Sequence, residues 1–209
     1  PDPSAEYVTF VLGDTVRRHM DERYAFPLKT LDDAMVLRNH ILTCFERAAY
    51  IDDPARRKQL LTFVIAGGGP TGVEFAGALS ELVRGPLKKD FPGIPAKDVS
   101  VVLVEGAERV LSMLSPKLSA YTAGRLSRMG VDVRLGARVK EISAAGVAFG
   151  DGTSIGAETV IWTAGVSGIV PESTAEVPLS NNKRIKTMKT LQLEGRPEVY
   201  VTGDLTYLE

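Results

Sequence analysis

The fold is decided by one stretch of the sequence, Leu61-Thr62-Phe63-Val64-Ile65-Ala66-Gly67-Gly68-Gly69-Pro70-Thr71-Gly72-Val73-Glu74-Phe75-Ala76-Gly77-Ala78-Leu79. Its apolar, largely β-branched part, residues 63–65, predicts a short buried parallel strand. The strand runs into the pattern Gly67-x-Gly69-x-x-Gly72, and an apolar segment with helical periodicity follows. A strand, a glycine turn and a helix in this order are the context in which such a pattern binds a dinucleotide.

Each glycine of the pattern has its own expected role. Gly67 permits the tight turn, Gly69 lets the backbone approach a pyrophosphate, and Gly72 lets the helix pack against the strand. The free amides at the start of the helix, together with its dipole, would face the phosphates. Pro70 suits this first turn, because a residue there has no intrahelical amide bond to lose. The alternative is a glycine-rich turn that only connects a strand to a helix.

A second buried strand, Ser100–Val104, supports a nucleotide site because it ends at Glu105. In a dinucleotide-binding fold, the acid that closes the second strand hydrogen-bonds the adenosine ribose hydroxyls. Glu105 lies further from the glycines than the usual distance of about 20 residues, and an insertion at residues 84–97 accounts for the excess. We expect this breaker-rich insertion to be a surface excursion, with a partner-binding loop as the alternative. Arg109 could pair with the 2′-phosphate of NADPH, but we expect it to turn to solvent.

The composition excludes several classes of function. The 209 residues carry a net charge of −1 and 24% charged residues, so nothing favours binding to nucleic acid or to an anionic membrane. The single Cys44 excludes an internal disulfide and a CxxC redox pair, and with only two histidines we expect no metal site. The sequence has neither an apolar run near the roughly 20 residues of a membrane span nor a signal peptide. We therefore expect a cytoplasmic protein.

A helix is predicted before the glycine stretch. Thr30 is a plausible N-cap, Asp33 is placed to complete a capping box, and the helix should reach about residue 51. His40 and Cys44 lie within it and are expected to be packing or surface residues. The apolar residues expected to share one face are Leu31, Met35, Leu37, Ile41, Leu42 and Phe45.

After a second helix, predicted over residues 116–129, the periodicity changes to strict alternation. The alternating segments predict a small antiparallel meander, not another strand–helix–strand unit; they are residues 131–135, 139–142, 147–149 and a short strand near 155. Residues 159–163 return as a buried parallel strand that ends at Ala164-Gly165, either at the ligand crevice or in an ordinary turn. The further predicted strands are residues 7–13, 183–186 and 198–204, the last of them buried.

Taken together, the motifs resemble the pyridine nucleotide–disulfide oxidoreductases, flavoproteins with two dinucleotide-binding domains, and within them the type II NADH dehydrogenases (NADH:quinone oxidoreductases). The resemblance extends from about Tyr24 to Asp204. The segments that carry it are residues 26–34, 67–74, Asp90-Phe91-Pro92, the strand ending at Glu105, Thr163-Ala164-Gly165 and residues 199–204.

This resemblance implies an α/β, Rossmann-like FAD/NAD(P)-binding fold, with a parallel sheet, helices and a small antiparallel meander. Residues 1–57 would form the edge of an FAD-binding domain and a connecting helix. Residues 58–168 would form the NAD(H)-binding domain, and residues 169–209 would return to the FAD-binding domain.

Two cofactors, NAD(H) and FAD, are also implied by the resemblance. The residues implied to hold the NADH pyrophosphate are Gly67, Gly69, Pro70, Thr71 and Gly72. Glu74 would lie near the nicotinamide and the flavin, and Glu105 would take the ribose.

Further residues are implied on the nicotinamide and flavin sides. Ala164 and Gly165 would line the nicotinamide side. Gly203 and Asp204 would belong to the second flavin motif, with Asp204 hydrogen-bonded to the ribityl–phosphate part of FAD. No side chain is expected to act as an acid, a base or a nucleophile.

The function implied is that of the NADH-binding domain of an enzyme that passes hydride from NADH to FAD and on to a quinone. Family members carry a further glycine pattern for FAD, and none precedes Gly67. We therefore expect a central fragment that is soluble, colourless and inactive; attachment of its parent to the cytoplasmic face of the membrane as a peripheral protein stays open, as does the oligomeric state. The alternatives are another FAD-dependent NAD(P)H oxidoreductase, ferredoxin-reductase-like or apoptosis-inducing-factor-like, and a non-enzymatic NADH-sensing module.

Overall fold

The structure is a computed structural model that describes residues 24–164, 177–180 and 184–208, without the side chain of Asp204. The strand predicted over residues 7–13 lies outside the described residues. The chain divides into two compact units, one containing the described residues up to Ala164 and the other those from Val177 onward. The assignment of FAD- and NAD(H)-binding domains stays a prediction.

Up to strand β4, at least one helix separates each strand from the next. In chain order they are β1 (Phe26–Pro27), α1 (Leu31–Tyr50), α2 (Pro54–Leu60), β2 (Thr62–Ala66), α3 (Pro70–Leu82), a π-helical turn (Val83–Leu87), α4 (Lys88–Asp90), a 3-10 turn (Ala96–Asp98), β3 (Ser100–Val104), α5 (Pro116–Arg128), β4 (Val131–Arg134), β5 (Val139–Ser143), β6 (Gly146–Phe149), β7 (Ser154–Gly156), β8 (Thr159–Trp162), β9 (Ile185–Lys186), β10 (Gln192–Leu193), β11 (Arg196–Tyr200), a 3-10 turn (Gly203–Leu205) and β12 (Thr206–Tyr207).

A five-stranded sheet with the order β1-β8-β2-β3-β4 organises the first unit. All of its strand pairs are parallel. Every residue of β2 is buried, because the strand is central and is covered on both faces. Ala66 pairs with Val104 of β3 and with Trp162 of β8. The carboxyl ends of these three strands therefore meet at the same side of the sheet.

Strand β4 corrects the prediction of a meander that includes residues 131–135. It pairs in parallel with β3, and α5 connects the two strands, so this segment is another strand–helix–strand unit. As the outermost strand, β4 exposes Asp132 and Arg134 while Val131 is buried, which produces the alternation that a meander strand also shows. The remaining meander is confirmed, since β5, β6 and β7 form an antiparallel sheet.

Helix α1 begins with the predicted capping box, in which Thr30 Oγ1 accepts from the Asp33 amide and Asp33 accepts from the Thr30 amide. The predicted apolar face is wrong at its start, because Leu31 and Met35 are 77% and 43% exposed. Each precedes a buried residue by six positions, which places it about 120° around the helix. The residues that α1 buries are Leu37, Ile41, Cys44, Phe45 and Ala48.

The insertion between α3 and β3 is more than the predicted surface excursion. Leu87 and Ile94 are buried in the main core, and the ring of Phe91 lies against Phe45 with 5.5 Å between centroids. These apolar anchors fix a segment that is otherwise rich in charged and turn-forming residues. Its role as a partner-binding loop stays a prediction.

The second unit contains two small two-stranded sheets, β10-β11 and β12-β9. The strand predicted over residues 198–204 forms as β11, but its five residues are exposed, which contradicts the predicted burial. Its only described partner is the two-residue β10, and burial begins at Val201. Within the described ranges, no helix is both long and apolar enough to cross a membrane.

Candidate functional site

The first predicted glycine occupies a position that only glycine tolerates well. Gly67 follows β2 with a φ of +120°, and its amide donates to the Val104 carbonyl at 2.8 Å. A Cβ at this position would lie 2.7 Å from the Ala164 amide nitrogen. The tight turn at Gly67 therefore lies directly against the end of β3 and the residues that follow β8.

Gly72 lets α3 approach the same turn. A Cβ at Gly72 would overlap the carbonyl oxygen of Gly67 and lie 2.7 Å from Thr163 Oγ1. The Thr163 hydroxyl lies 3.1 Å from the carbonyl oxygens of both Ala66 and Gly67. The third glycine thus has the predicted packing role. Thr163, for which the sequence offered only the family resemblance, stabilises the turn.

The start of α3 offers free backbone donors next to open space. Gly69 is the N-cap residue, and a Cβ built there would meet no atom within 4 Å. Among the described residues, no hydrogen bond is made by the amides of Gly69, Thr71 and Gly72; Pro70 has no amide hydrogen. Pro70 and Thr71 are exposed. Amides of this kind, with the positive end of the helix dipole, form an anion site.

Glu105 lies directly beside the glycine loop. Its Oε2 accepts from the Gly68 amide at 2.6 Å, and its Oε1 accepts from the Ala107 amide at 2.8 Å. The carboxylate is half-buried, and each of its oxygens has a second lone pair for another donor. It can therefore hold the loop and also accept from ribose hydroxyls.

The loop after Glu105 returns to the glycine loop. The Leu111 amide donates to the Gly68 carbonyl at 2.7 Å, and Leu111 has a φ of +47°, which is unusual for a residue with a branched side chain. Arg109 does not turn to solvent as expected. It is half-buried, and its guanidinium donates to the carbonyls of Ser112 at 3.3 Å and Leu114 at 3.5 Å. The sequence did not mark Leu111, because a non-glycine residue with positive φ leaves no composition signal.

The other predicted site residues are spread over both units. Glu74 is exposed on α3, and Ala164 is half-buried directly after Thr163. Gly203, with a φ of +72°, begins the 3-10 turn of the second unit. Gly165 and the side chain of Asp204 lie outside the described residues. The binding roles of all these residues stay predictions.

His40 and Cys44 pack against β8, in line with their predicted packing role. His40 Nε2 lies 3.0 Å from Thr159 Oγ1, and Cys44 Sγ lies 3.4 Å from His40 Nε2. Burial lowers the pKa of His40 and raises the pKa of the Cys44 thiol. A buried thiol with a raised pKa is a poor nucleophile, so this cluster is structural.

The chain matches one protein-family model and several known proteins. Residues 14–209 match the family model described as pyridine nucleotide-disulphide oxidoreductase. The chain is 38% identical over 194 residues to the type II NADH:quinone oxidoreductase Ndh of Mycobacterium tuberculosis, covering 89% of this chain and 42% of that protein. It is 33% identical to the external alternative NAD(P)H-ubiquinone oxidoreductase B3, mitochondrial, of Arabidopsis thaliana, covering 85% of this chain and 32% of that protein. The chain thus spans less than half the length of these relatives.

Solved structures share the fold. The structure of NDH2 from Plasmodium falciparum in complex with NADH matches with a TM-score of 0.77 at 20% identity, over 90% of this chain and 40% of that one. A ferredoxin reductase for the CYP199A2 system from Rhodopseudomonas palustris matches with a TM-score of 0.64 at 26% identity, over 88% of this chain and 39% of that one. The predicted Rossmann-like FAD/NAD(P)-binding fold is confirmed.

Proposed function

The chain belongs to the pyridine nucleotide-disulphide oxidoreductase family, and from this premise we propose that it carries the NADH site of a flavin-dependent NADH:quinone oxidoreductase. The observation that carries the proposal is the open backbone at Gly69, which lies between free helix amides and the Glu105 carboxylate. The mycobacterial relative, named a type II NADH:quinone oxidoreductase, supports the choice of reaction.

The pyrophosphate would bind at the start of α3. The amides of Gly69, Thr71 and Gly72 have no partner among the described residues, and two phosphate groups would supply acceptors for them. Because no side chain covers Gly69, the pyrophosphate could approach the backbone closely. The residues present therefore fit a dinucleotide.

The adenosine ribose would bind at Glu105. Its carboxylate is fixed by two backbone amides, so it can accept from the ribose hydroxyls without first losing side-chain freedom. The same negative charge would repel the 2′-phosphate of NADPH. The guanidinium of Arg109, which could offset that repulsion, is instead bonded to carbonyls of its own loop. We therefore propose a preference for NADH.

Bound NADH would supply a hydride, and bound FAD would accept it for transfer to a quinone. The part of this chain is to bind and orient the nucleotide: Ala164 and Gly165 would line its nicotinamide side, and Glu74 would lie near it. The FAD site is supported by family membership and by the motif at Gly203 and Asp204. Because quinones are lipid-soluble, we extend the proposal to peripheral attachment of the enzyme to the cytoplasmic face of a membrane.

Isothermal titration of the 209-residue chain with NADH tests the proposal. We expect one site per chain, with competition by ADP-ribose, which retains the pyrophosphate and adenosine parts. Nicotinamide mononucleotide keeps only one phosphate and lacks the adenosine that Glu105 would hold, so it should compete poorly. A chain that binds neither NADH nor ADP-ribose would contradict the assignment of a nucleotide site.

The fragment itself is expected to be inactive, so the full-length parent protein, purified with its flavin, would then separate the enzyme from the alternatives. NADH oxidation by the parent protein that depends on a water-soluble quinone would support the quinone reaction. Electron transfer to a ferredoxin but not to the quinone would favour a reductase of the other kind. NADH binding with no electron transfer in either assay would favour a sensing module.

A further inference from the structure

Both hydrogen-bonding groups of Gly68 are held by the segment that follows β3. Its amide donates to Glu105 Oε2 at 2.6 Å, and its carbonyl accepts from the Leu111 amide at 2.7 Å. The Gly68 carbonyl and the Gly69 amide belong to one planar trans peptide unit, in which they point in opposite directions. The hydrogen bond from Leu111 therefore turns the Gly69 amide away from the segment, and this amide has no partner among the described residues.

Leu111 donates this hydrogen bond from a strained conformation. Its φ of +47° is in the left-handed region, which disfavours residues that carry a Cβ. The surrounding contacts stabilise the bend: the Leu111 carbonyl accepts from the Leu114 amide at 2.8 Å and from the Ser119 hydroxyl at 3.3 Å. Without these contacts, Leu111 would relax toward negative φ and its amide would leave Gly68.

Arg109 also contacts the backbone of this bend. Its guanidinium donates to the carbonyls of Ser112 and Leu114, at 3.3 and 3.5 Å, and so connects the two sides of the strained residue. A planar guanidinium is suited to two such acceptors at once. Although Arg109 follows Glu105 by only four positions, its positive charge is directed at backbone carbonyls of its own loop.

We propose that Arg109 is a positioning residue of the nucleotide site: it holds Leu111 in its strained bend, and Leu111 in turn orients the Gly68–Gly69 peptide toward the pyrophosphate. This inference rests on the proposed function. It assigns to Arg109 a role that is independent of the 2′ position of the adenosine ribose. Loss of Arg109 should therefore weaken binding of NADH, NADPH and ADP-ribose by the same factor.

The experiment compares Arg109→Met with Arg125→Met, a matched change at an exposed arginine on α5. Arg109→Met should lower the affinity for NADH and for NADPH about tenfold, which corresponds to release of one left-handed residue, while Arg125→Met should change neither. The double variant Arg109→Met/Leu111→Gly should restore most of the NADH affinity, because glycine adopts positive φ without strain. Amide hydrogen exchange at Leu111 should accelerate in Arg109→Met and not in Arg125→Met.

Three results would overturn the inference. They are an unchanged NADH affinity in Arg109→Met, a loss confined to NADPH, and a failure of Leu111→Gly to rescue. If Arg109→Met does not fold, Leu111→Val serves instead, since a β-branched residue at positive φ should weaken both nucleotides equally without altering any charge. Absence of NADH binding by the unaltered chain would contradict the proposed function itself, so the two failures are distinguishable.

Discussion

The carboxylate of Glu105 and the amide of Gly68 are joined by a hydrogen bond of 2.6 Å between Oε2 and the backbone nitrogen. This contact connects the residue that follows β3 to the glycine loop that follows β2. A substitution of Glu105 therefore has two separable effects. It loosens the loop for every nucleotide, and it alters discrimination at the 2′ position of the ribose.

The first prediction concerns this discrimination. A hydrogen bond to a charged group contributes about 1.5–3 kcal/mol, so the unaltered chain should prefer NADH over NADPH by roughly one to two decades. Glu105→Gln keeps an oxygen that can accept from the Gly68 amide but removes the charge, and should reduce this preference while NADH still binds. Glu105→Ser removes both and should also weaken NADH. Calorimetric titrations of all three proteins with both nucleotides measure this, and equal affinities in the unaltered chain would contradict the role of Glu105.

The second prediction uses the open space at Gly69. Because a Cβ there meets no atom within 4 Å, Gly69→Val should leave the melting temperature nearly unchanged. Its branched side chain would occupy the approach of the pyrophosphate, so NADH affinity should fall at least about tenfold. Gly93→Val is the control, since its Cβ also meets nothing within 4 Å but lies in the insertion before β3. Normal NADH binding by Gly69→Val would show that the phosphate assignment is wrong.

The third prediction separates the structural glycine from the ligand-facing one. Gly72→Ala would press a methyl group against the backbone of Gly67 and Thr163 Oγ1, and overpacking of this kind destabilises by about 1–3 kcal/mol. In the same helix, Gly77→Ala would place its Cβ 3.6 Å from Met129 Cε, an ordinary contact. That change should stabilise by about 0.5–1 kcal/mol, since alanine favours helices. Urea unfolding of both variants gives the free energies, and equal stabilities would refute the close approach of α3.

The fourth prediction concerns pH and the interior of the first unit. Burial lowers the pKa of His40, with the negative Glu158 acting in the opposite direction, so the folded state favours the neutral ring. The unfolded chain takes up the proton near the ordinary value of about 6.5. The contribution of His40 is therefore fully present above that pH and is lost as the pH falls toward the lower folded value. Unfolding free energies from pH 7.5 down to 5 should fall more steeply in the unaltered chain than in His40→Gln; parallel curves would exclude this source of acid sensitivity.

Strong local patterns made much of the fold predictable. Strands β2, β3 and β8 are recognisable as apolar runs because they are buried in the sheet. The capping box of α1 is predictable from the residue types and the spacing of Thr30 and Asp33. Gly67 and Gly72 were assigned correct structural roles, because a tight turn and a close helix approach each require glycine at a fixed spacing. These features depend on residues that are close together in the sequence.

The features that were not predictable from the sequence depend on residues that are distant along the chain. Strand β4 alternates like a meander strand, and only its pairing with β3 shows that it belongs to the parallel sheet. Leu31 is apolar, yet its position around α1 turns it away from the core. The Leu111 contact with Gly68 joins two loops through backbone atoms, which no side-chain pattern records. These features are therefore determined by burial and by backbone pairing, which residue type alone does not reveal.

The short strand β1 and the charged strand β4 also bear on how this protein avoids aggregation. Among the residues that the structure describes, they form the two edges of the parallel sheet. At one of these edges Phe26 and Pro27 are the paired residues, and a proline has no amide hydrogen to offer an incoming strand. At the other, Asp132 and Arg134 are exposed and joined by an ion pair of 2.9 Å, and burying them against another chain would strip both charges of water. Neither edge is a favourable template for a strand from a second molecule.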